Sequence, residues 1–157
     1  MKRSRFLHDL FAERKIQIVN PSEDIARAYL KKSTSHLASA ILLKDNEHYE
    51  EAVSMAYYSM YHTVMALFFR TGIKCENHSA AIILVKEVYE LDNTPLSEAK
   101  KARIDIQYYV ENAATRMDVE SLIRSAELFN AHLLHFIEHL SNEKITKYRE
   151  RLKRLLE

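Results

Sequence analysis

Glycine and proline are nearly absent from the chain, which has one Gly and two Pro among its 157 residues. Turns in all-β and α/β proteins depend on these residues, so the composition favours an all-α fold of one domain. Without a glycine-rich segment, a P-loop or a dinucleotide-binding loop is excluded. Cys75 is the only cysteine. An intramolecular disulfide is therefore excluded, and a reducing compartment is expected.

Neither positive nor negative charge is in excess, because the formal net charge is +1. It is unevenly distributed: residues 1–20 carry five basic and two acidic groups, and residues 141–157 carry six and three. We predict a short basic segment over 1–20, a helical bundle over 21–140 and a basic helical extension over 141–157. Basic ends hint at anionic partners. Residues 1–15 are charged throughout, so we expect no signal peptide and predict a cytoplasmic protein.

Residues 52–69 contain no Asp, Glu, Lys or Arg. At about 100° per residue, one face of a helix here is apolar, as expected of a core-facing helix. The opposite face should be polar, but it is lined by Met55, Tyr58, His62, Met65 and Phe69. Tyrosine, histidine, serine and threonine within the run argue against a membrane span. We therefore predict a central helix that buries its second face, with those five residues forming a homodimer interface.

Helical patterns flank this segment on both sides. We predict a short helix over 4–15 and an up-down bundle of four to five antiparallel helices, whose members cover residues 21–44, the central helix to Thr71, 78–90, 94–113 and 118–140. Residues 16–19 are predicted as an extended linker and 73–77 as a polar loop. The tail either breaks at Ser141-Asn142 or continues as a coiled-coil-like extension.

Three positions predict the ends of these helices. Asn20 is expected to cap the helix that has Pro21 at its first position, and Asp118 to cap the last bundle helix. Gly72 follows the central helix where a left-handed residue is expected. Small residues at seven-residue spacing (Ala26, Ser33 and Ala40) predict close packing of the second helix.

Three side chains are candidates for chemistry. Arg103 interrupts an apolar stripe, so it needs a carboxylate, an anionic ligand or a route to water. His78 lies near a predicted helix N-terminus, where N–H groups attract phosphate, although it is also an ordinary neighbour of a cap. His62 lies on the second apolar face, where a histidine is either simply hydrogen-bonded or part of a site.

A metal site is not predicted. The chain has no Glu-x-x-His on a helix, which disfavours a di-iron bundle. His132, His135 and His139 lie on one flank of a helix but have no obvious carboxylate or cysteine partner, so we interpret them as solvated. No cofactor is predicted, and a metal-binding bundle is only a third hypothesis.

The central segment resembles the signature of a known family. Tyr57-Tyr58-Ser59-Met60-Tyr61-His62 resembles the YYAMFH motif of HEPN-domain proteins, and Gly72 followed by His78-Ser79 resembles their G-x-x-x-x-x-H-S segment. Arg103 with Tyr108 resembles the later R-E-x-A-D-Y, with Gln107 in place of the Asp. The likeness covers roughly residues 22–140.

The resemblance implies a homodimeric helical bundle, often encoded beside a minimal nucleotidyltransferase as toxin and antitoxin. Many such proteins are metal-independent RNases with Arg and His four to six residues apart. Here seven residues separate Arg70 from His78, and this motif is absent from residues 21–140. Whether the chain is an enzyme is therefore open. If it is, the expected chemistry is attack by a ribose 2′-OH with histidine as acid or base and arginine on the phosphate.

We therefore predict a HEPN-like nucleotide- or RNA-binding protein. Its expected role is that of an RNase toxin whose antitoxin is a nucleotidyltransferase. Candidate catalytic residues are Arg103, His78 and His62. Candidate nucleotide or RNA contacts are Tyr58, Arg70, Lys74 and Tyr108. The alternative is a non-catalytic homodimeric interaction module in which Arg103 forms an ion pair.

Overall fold

The structure, a computed structural model, describes residues 2–111 and 113–157, with side chains from residue 5 onward. Within these ranges the chain forms seven helices and two short strands. In chain order they are α1 (Lys2–Ala12), β1 (Ile16–Ile18), α2 (Glu23–Asp45), α3 (Tyr49–Thr71), β2 (Ile73–Cys75), α4 (His78–Tyr89), α5 (Thr94–Tyr108), α6 (Arg116–Glu138) and α7 (Asn142–Leu156). The all-α prediction is confirmed.

Helix α3 is the centre of the bundle. It packs against α2, α5 and α6 along its length, and α4, α7 and β2 also contact it. Fourteen of its 23 residues are buried, which explains why the segment has no charged residue between Ala52 and Phe69. Ala26, Ser33 and Ala40 are buried on α2, as predicted for close approach of two helices.

The two strands were not predicted. Residues 16–19 were interpreted as a linker and 73–77 as a polar loop, but β1 and β2 pair antiparallel with Ile16 opposite Cys75. Ile16 and Ile73 are fully buried. A three-residue strand has too little periodicity to stand out, so only the tertiary pairing of distant segments reveals it.

Several predicted helix ends were wrong. Ser22, not Asn20, caps α2, because its hydroxyl accepts from the N–H of Ile25 at 3.2 Å. Thr115, not Asp118, caps α6, and Asp118 completes a capping box with it. Helix α5 ends at Tyr108 rather than near residue 113, because the backbone turns extended at Tyr109. Val110, which lies within the predicted helix over 94–113, is outside α5 and 99% exposed.

The C-terminal segment is a separate helix. Ser141 caps α7 by accepting from the N–H of Lys144. Helix α7 packs on α1, α3 and α4 through Ile145, Tyr148, Leu152 and Leu156. The alternative of a continuous coiled-coil-like extension is therefore wrong. None of the helices, as far as they are described, is long and apolar enough to cross a membrane.

Candidate functional site

Arg103 on α5 lies against the aromatic surface of α3. Its guanidinium carbon is 4.9 Å from the ring centroid of Tyr57 and 5.4 Å from that of Tyr58. Its Nη1 donates to the Tyr58 hydroxyl at 3.3 Å and to Oε1 of Gln107 at 3.5 Å, and both contacts are long. Among the described residues no carboxylate forms an ion pair with it, and its buried Nε has no hydrogen-bond partner. The ion pair of Arg103 predicted for a non-catalytic interaction module is therefore not found among the described residues.

His78 is the first residue of α4, which Asn77 caps by accepting from the N–H of Ala80 at 2.9 Å. The His78 ring stacks on Tyr61 with centroids 4.0 Å apart and planes at 9°. Its Nδ1 lies 2.6 Å from the Tyr57 hydroxyl. Desolvation by burial raises the pKa of Tyr57, so this phenol stays protonated.

The Tyr57 hydroxyl determines which nitrogen of the neutral His78 ring carries the hydrogen. No other acceptor for Tyr57 is found among the described residues, so we assign its hydroxyl as the donor to Nδ1 of His78. The neutral ring then carries its hydrogen on Nε2. Burial, followed by the charges of Arg103 and Lys100, lowers the pKa of His78. At neutral pH it is therefore an uncharged hydrogen-bond donor through Nε2.

Lys100, one turn before Arg103 on α5, adds a second cation. Its Nζ donates to the Ser79 hydroxyl at 2.5 Å. Burial and then Arg103 lower the pKa of Lys100. Arg103 and Lys100 have no anionic partner within the described part of the chain, and beside the N-terminus of α4 they form a local positive potential. Tyr57, Tyr58, His78, Lys100 and Arg103 are called the Arg103 site below; by charge it is suited to an anion.

His62 lies one turn along α3 from Tyr58 and belongs to a neighbouring group of rings. Its centroid is 4.7 Å from that of His36 and 5.7 Å from that of Tyr29, both on α2. Tyr58 stands between the two histidines, with its centroid 6.3 Å from both His62 and His78. Nδ1 of His62 is buried, and no described residue forms a hydrogen bond with it. Burial, then the charges of His36 and Lys32, lowers the pKa of His62 to about 4.

Three predicted contacts lie apart from the Arg103 site. Arg70 pairs with Glu23 at 3.1 Å and lies about 18 Å along the α3 axis from Tyr58. Lys74, in β2, pairs with Glu76 at 2.8 Å. Tyr108, the last residue of α5, is 69% exposed. The fold brings Arg103, His78 and Tyr58 together, with His62 adjacent to Tyr58.

The residues predicted as a homodimer interface are partly covered within one chain. Met65 is buried, and Met55, Tyr58, His62 and Phe69 are half-buried. Tyr29 of α2 stacks on Phe69 with centroids 5.5 Å apart. The apolar second face of α3 is thus explained largely by its own neighbours. A homodimer stays a prediction.

Some site residues were missed by sequence reasoning. Tyr57 was not among the candidate site residues; it is fully buried, but its hydroxyl also contacts His78. Lys100 could have been identified as a site residue from the sequence, because it lies three residues before Arg103 on the same helical face. His36 and Tyr29 carried none, since only the packing of α2 on α3 brings them to His62.

His135 of α6 and His139, which follows that helix, contact each other. The His135 and His139 rings are 4.1 Å apart, and His139 Nδ1 lies 2.8 Å from the His135 carbonyl oxygen. The described side chains contain no group of three or more His, Cys, Asp or Glu arranged to hold a metal ion.

Comparison with known proteins gives a family match and two relatives. The family model described as "HEPN domain" matches residues 26–136. "Putative toxin MJ0605" of Methanocaldococcus jannaschii is 26% identical over 110 residues, covering 66% of this chain and 81% of that protein. "UPF0332 protein PH1297" of Pyrococcus horikoshii is 39% identical over 54 residues, covering 34% of this chain and 38% of that protein. The matched family region includes all five residues of the Arg103 site.

Proposed function

The chain belongs to the HEPN-domain family, and from this premise we propose that it binds a nucleotide or RNA phosphate at the Arg103 site. The observation that carries the proposal is the guanidinium of Arg103, held over two tyrosine rings with a buried Nε for which the described residues provide no partner. A buried donor without a partner is costly, and a phosphate oxygen satisfies it. Arginine presents the donor geometry that suits phosphate.

The neighbouring groups support the same ligand. Lys100 supplies a second positive charge, and His78 presents Nε2–H next to it. Bound phosphate would offset the charges of Arg103 and Lys100 that now lower the pKa of His78. Binding should therefore favour protonation of His78 and be coupled to proton uptake.

We extend the proposal to a toxin role with RNA cleavage as its chemistry. The name of the M. jannaschii relative contains the word toxin, and the family resemblance implies a nucleotidyltransferase partner as antitoxin. In the proposed reaction a ribose 2′-hydroxyl loses its proton to water as its oxygen attacks the adjacent phosphorus. The P–O5′ bond breaks, and the products are a 2′,3′-cyclic phosphate and a 5′-hydroxyl that takes up a proton. His78, charged once phosphate is bound, would donate that proton, and Arg103 would stabilise the charge on the phosphate.

Nucleotide binding is tested with Arg103→Ala, and Arg124→Ala is the matched control because Arg124 is exposed on α6. Removing a charged donor should weaken binding of uridine 5′-monophosphate by about 10- to 100-fold, measured by calorimetry. The control should bind as the wild type does. Equal affinity of both variants would refute the Arg103 site.

Cleavage has its own assay. Labelled RNA should be cut in the presence of a chelator, and His78→Ala should abolish the cutting while circular dichroism shows unchanged helicity. Binding without any cutting would leave the nucleotide-binding function and remove the RNase role. Growth arrest on expression, relieved by a co-expressed nucleotidyltransferase, would test the toxin role.

The second candidate function is a non-catalytic homodimeric module. It is favoured by the half-buried state of Met55, Tyr58, His62 and Phe69, which leaves part of this surface open. A Tyr58→Glu variant would bury an unpaired charge in such an interface and should give monomers. Light scattering that finds the same oligomeric state in wild type and Tyr58→Glu would reject this candidate.

A further inference from the structure

A continuous row of rings extends away from the Arg103 site across α3 and α2. We call it the aromatic strip; its members are Tyr58, His62, His36, Tyr29 and Phe69. Successive centroids along it are separated by 6.3, 4.7, 5.7 and 5.5 Å for Tyr58–His36, His36–His62, His62–Tyr29 and Tyr29–Phe69. All five side chains are half-buried. From Tyr58 to Phe69 the strip runs about 17 Å along the α3 axis, enough for several stacked bases.

The strip retains hydrogen-bonding capacity that the described residues do not use. Nδ1 of His36 lies 2.7 Å from the Lys32 carbonyl oxygen, so this nitrogen is the donor. The neutral His36 ring therefore presents Nε2 as a free acceptor. A purely apolar partner would leave this nitrogen unsatisfied, whereas the polar edge of a nucleobase can pair with it.

Positive charge lies at one end of the strip and beside one of its later rings. Arg103 contacts Tyr58 at the first end. Lys32 is placed over the Tyr29 ring, with Nζ 5.7 Å from the centroid. Neither cation forms an ion pair with a carboxylate among the described side chains. Rings flanked by such cations suit single-stranded nucleic acid, whose bases stack while its phosphates approach the charges.

We propose that the aromatic strip stacks the bases of a single-stranded RNA whose phosphate is held at the Arg103 site. The inference rests on the proposed function and adds a base-binding surface on α2 and α3, long enough for several nucleotides of one strand. Stacking on these rings is tolerant of sequence, because every base has a π-face. A second copy of the chain is the competing occupant, since the strip includes three residues of the predicted dimer interface.

The test compares two ligands on three variants. Uridine 5′-monophosphate reports the Arg103 site alone, and a single-stranded oligouridylate of about eight nucleotides reports the site with the strip. His36→Ala removes one ring, and His36→Phe keeps the ring but removes its nitrogens. His132→Ala is the matched control, because His132 is an exposed histidine on α6.

The oligonucleotide should bind the wild type more tightly than the mononucleotide. His36→Ala should weaken oligonucleotide binding by about 5- to 100-fold, the loss expected for one stacked base, and leave mononucleotide binding unchanged. His36→Phe should retain most of the affinity, and His132→Ala should change neither ligand. Fluorescence anisotropy and calorimetry measure the two affinities.

The possible failures are distinguishable. If neither ligand binds, the proposed function fails and the strip proposal fails with it. If the mononucleotide binds but the oligonucleotide binds no more tightly, only the strip proposal is overturned. A third result would also overturn it: His36→Ala converts a dimer to a monomer in sedimentation and leaves oligonucleotide affinity unchanged.

Discussion

Arg149 of α7 donates a hydrogen bond from Nη1 to the carbonyl oxygen of Gly72 at 3.0 Å, just beyond the end of α3. The same nitrogen reaches the carbonyl oxygens of Val19 at 2.7 Å and Thr71 at 3.2 Å. A cation at the C-terminal end of a helix is favoured by the exposed carbonyls and the helix dipole. This contact ties the C-terminal helix to the central one and to the chain following β1.

Gly72 cannot be replaced by alanine without loss of stability. Its φ is +79°, and a Cβ there would overlap with Nη1 of Arg149 and the carbonyl oxygen of Val19. The left-handed backbone and the overlap together should lower the free energy of unfolding by about 2–4 kcal/mol. Urea denaturation measures it, and a loss below about 0.5 kcal/mol would contradict this account.

Removing the Arg149 side-chain charge should also destabilise the protein. Arg149→Met leaves three carbonyl oxygens without this donor, and a loss of about 1–3 kcal/mol is expected in urea denaturation. Arg154→Met on the exposed side of α7 is the control and should change stability little. Equal stability of the two variants would show that the contact between Arg149 and Gly72 is not stabilising.

The stability of Arg103 variants separates a ligand-binding arginine from a structural one. Arg103→Met loses the contacts with the rings of Tyr57 and Tyr58 but removes a buried Nε without a partner. These effects oppose each other, so unfolding free energy should change by less than about 1 kcal/mol. A loss of about 3–5 kcal/mol would indicate a structural ion pair that forms in solution.

His62 should make the protein less stable in mild acid. Its pKa is lowered to about 4 in the folded chain, so between that value and its unfolded pKa of about 6.5 only the unfolded state binds the proton. Stability contributed by the neutral ring is therefore present above pH 6.5 and lost as pH falls towards 4. After allowance for solvent screening, the loss should be about 1–2 kcal/mol.

The measurement is the unfolding free energy of wild type and His62→Phe across that pH range. The variant cannot take up this proton, so its stability should fall less steeply than that of the wild type. His132→Phe serves as the control because His132 is exposed. Parallel pH profiles for wild type and His62→Phe would disprove the assignment.

A buried polar network joins α2, α3 and α6. The Ser33 hydroxyl lies 2.6 Å from that of Thr63 and 2.7 Å from the Ser59 carbonyl oxygen. Asn130 of α6 accepts from Thr63 at 3.0 Å and donates to the Ser59 hydroxyl at 2.8 Å. Such a network stabilises one arrangement of three helices only while all its members are satisfied.

Asn130→Ala should therefore cost about 1–3 kcal/mol of unfolding free energy, because it leaves the hydroxyls of Ser59 and Thr63 short of a partner. Asn142→Ala, at the exposed start of α7, is the matched control and should cost much less. If thermal denaturation gives both variants the same midpoint, the network does not contribute to stability.

Most of the fold could be predicted from the sequence because helices are local structures. The apolar run of α3 and the single glycine after it indicated the central helix and its end, and both are confirmed. Errors concentrated where a tertiary contact decides, as in the pairing of β1 with β2 and the exposed turn after Tyr108. Capping was misassigned by two or three residues, since several neighbouring residues are competent caps.

The candidate site was only partly predictable. Arg103, His78 and Tyr58 were found because each broke or bounded a helical pattern. Their partners were not, because Tyr57 and Lys100 fit ordinary core and surface positions. Arg70 and Lys74 were also predicted as nucleotide or RNA contacts, and the structure pairs them with Glu23 and Glu76.

The sequence by itself determined that this chain is helical, that one helix is buried on nearly every side, and that a charged arginine lies on an apolar stripe. These conclusions follow from the composition and from the helical period of 3.6 residues, both of which are properties of the sequence itself. Only the tertiary structure decided what covers that helix and what surrounds that arginine. The contacts of Arg103 with Tyr58 and of His62 with His36 join residues far apart in the chain, and such contacts depend on how helices pack, which local periodicity does not encode.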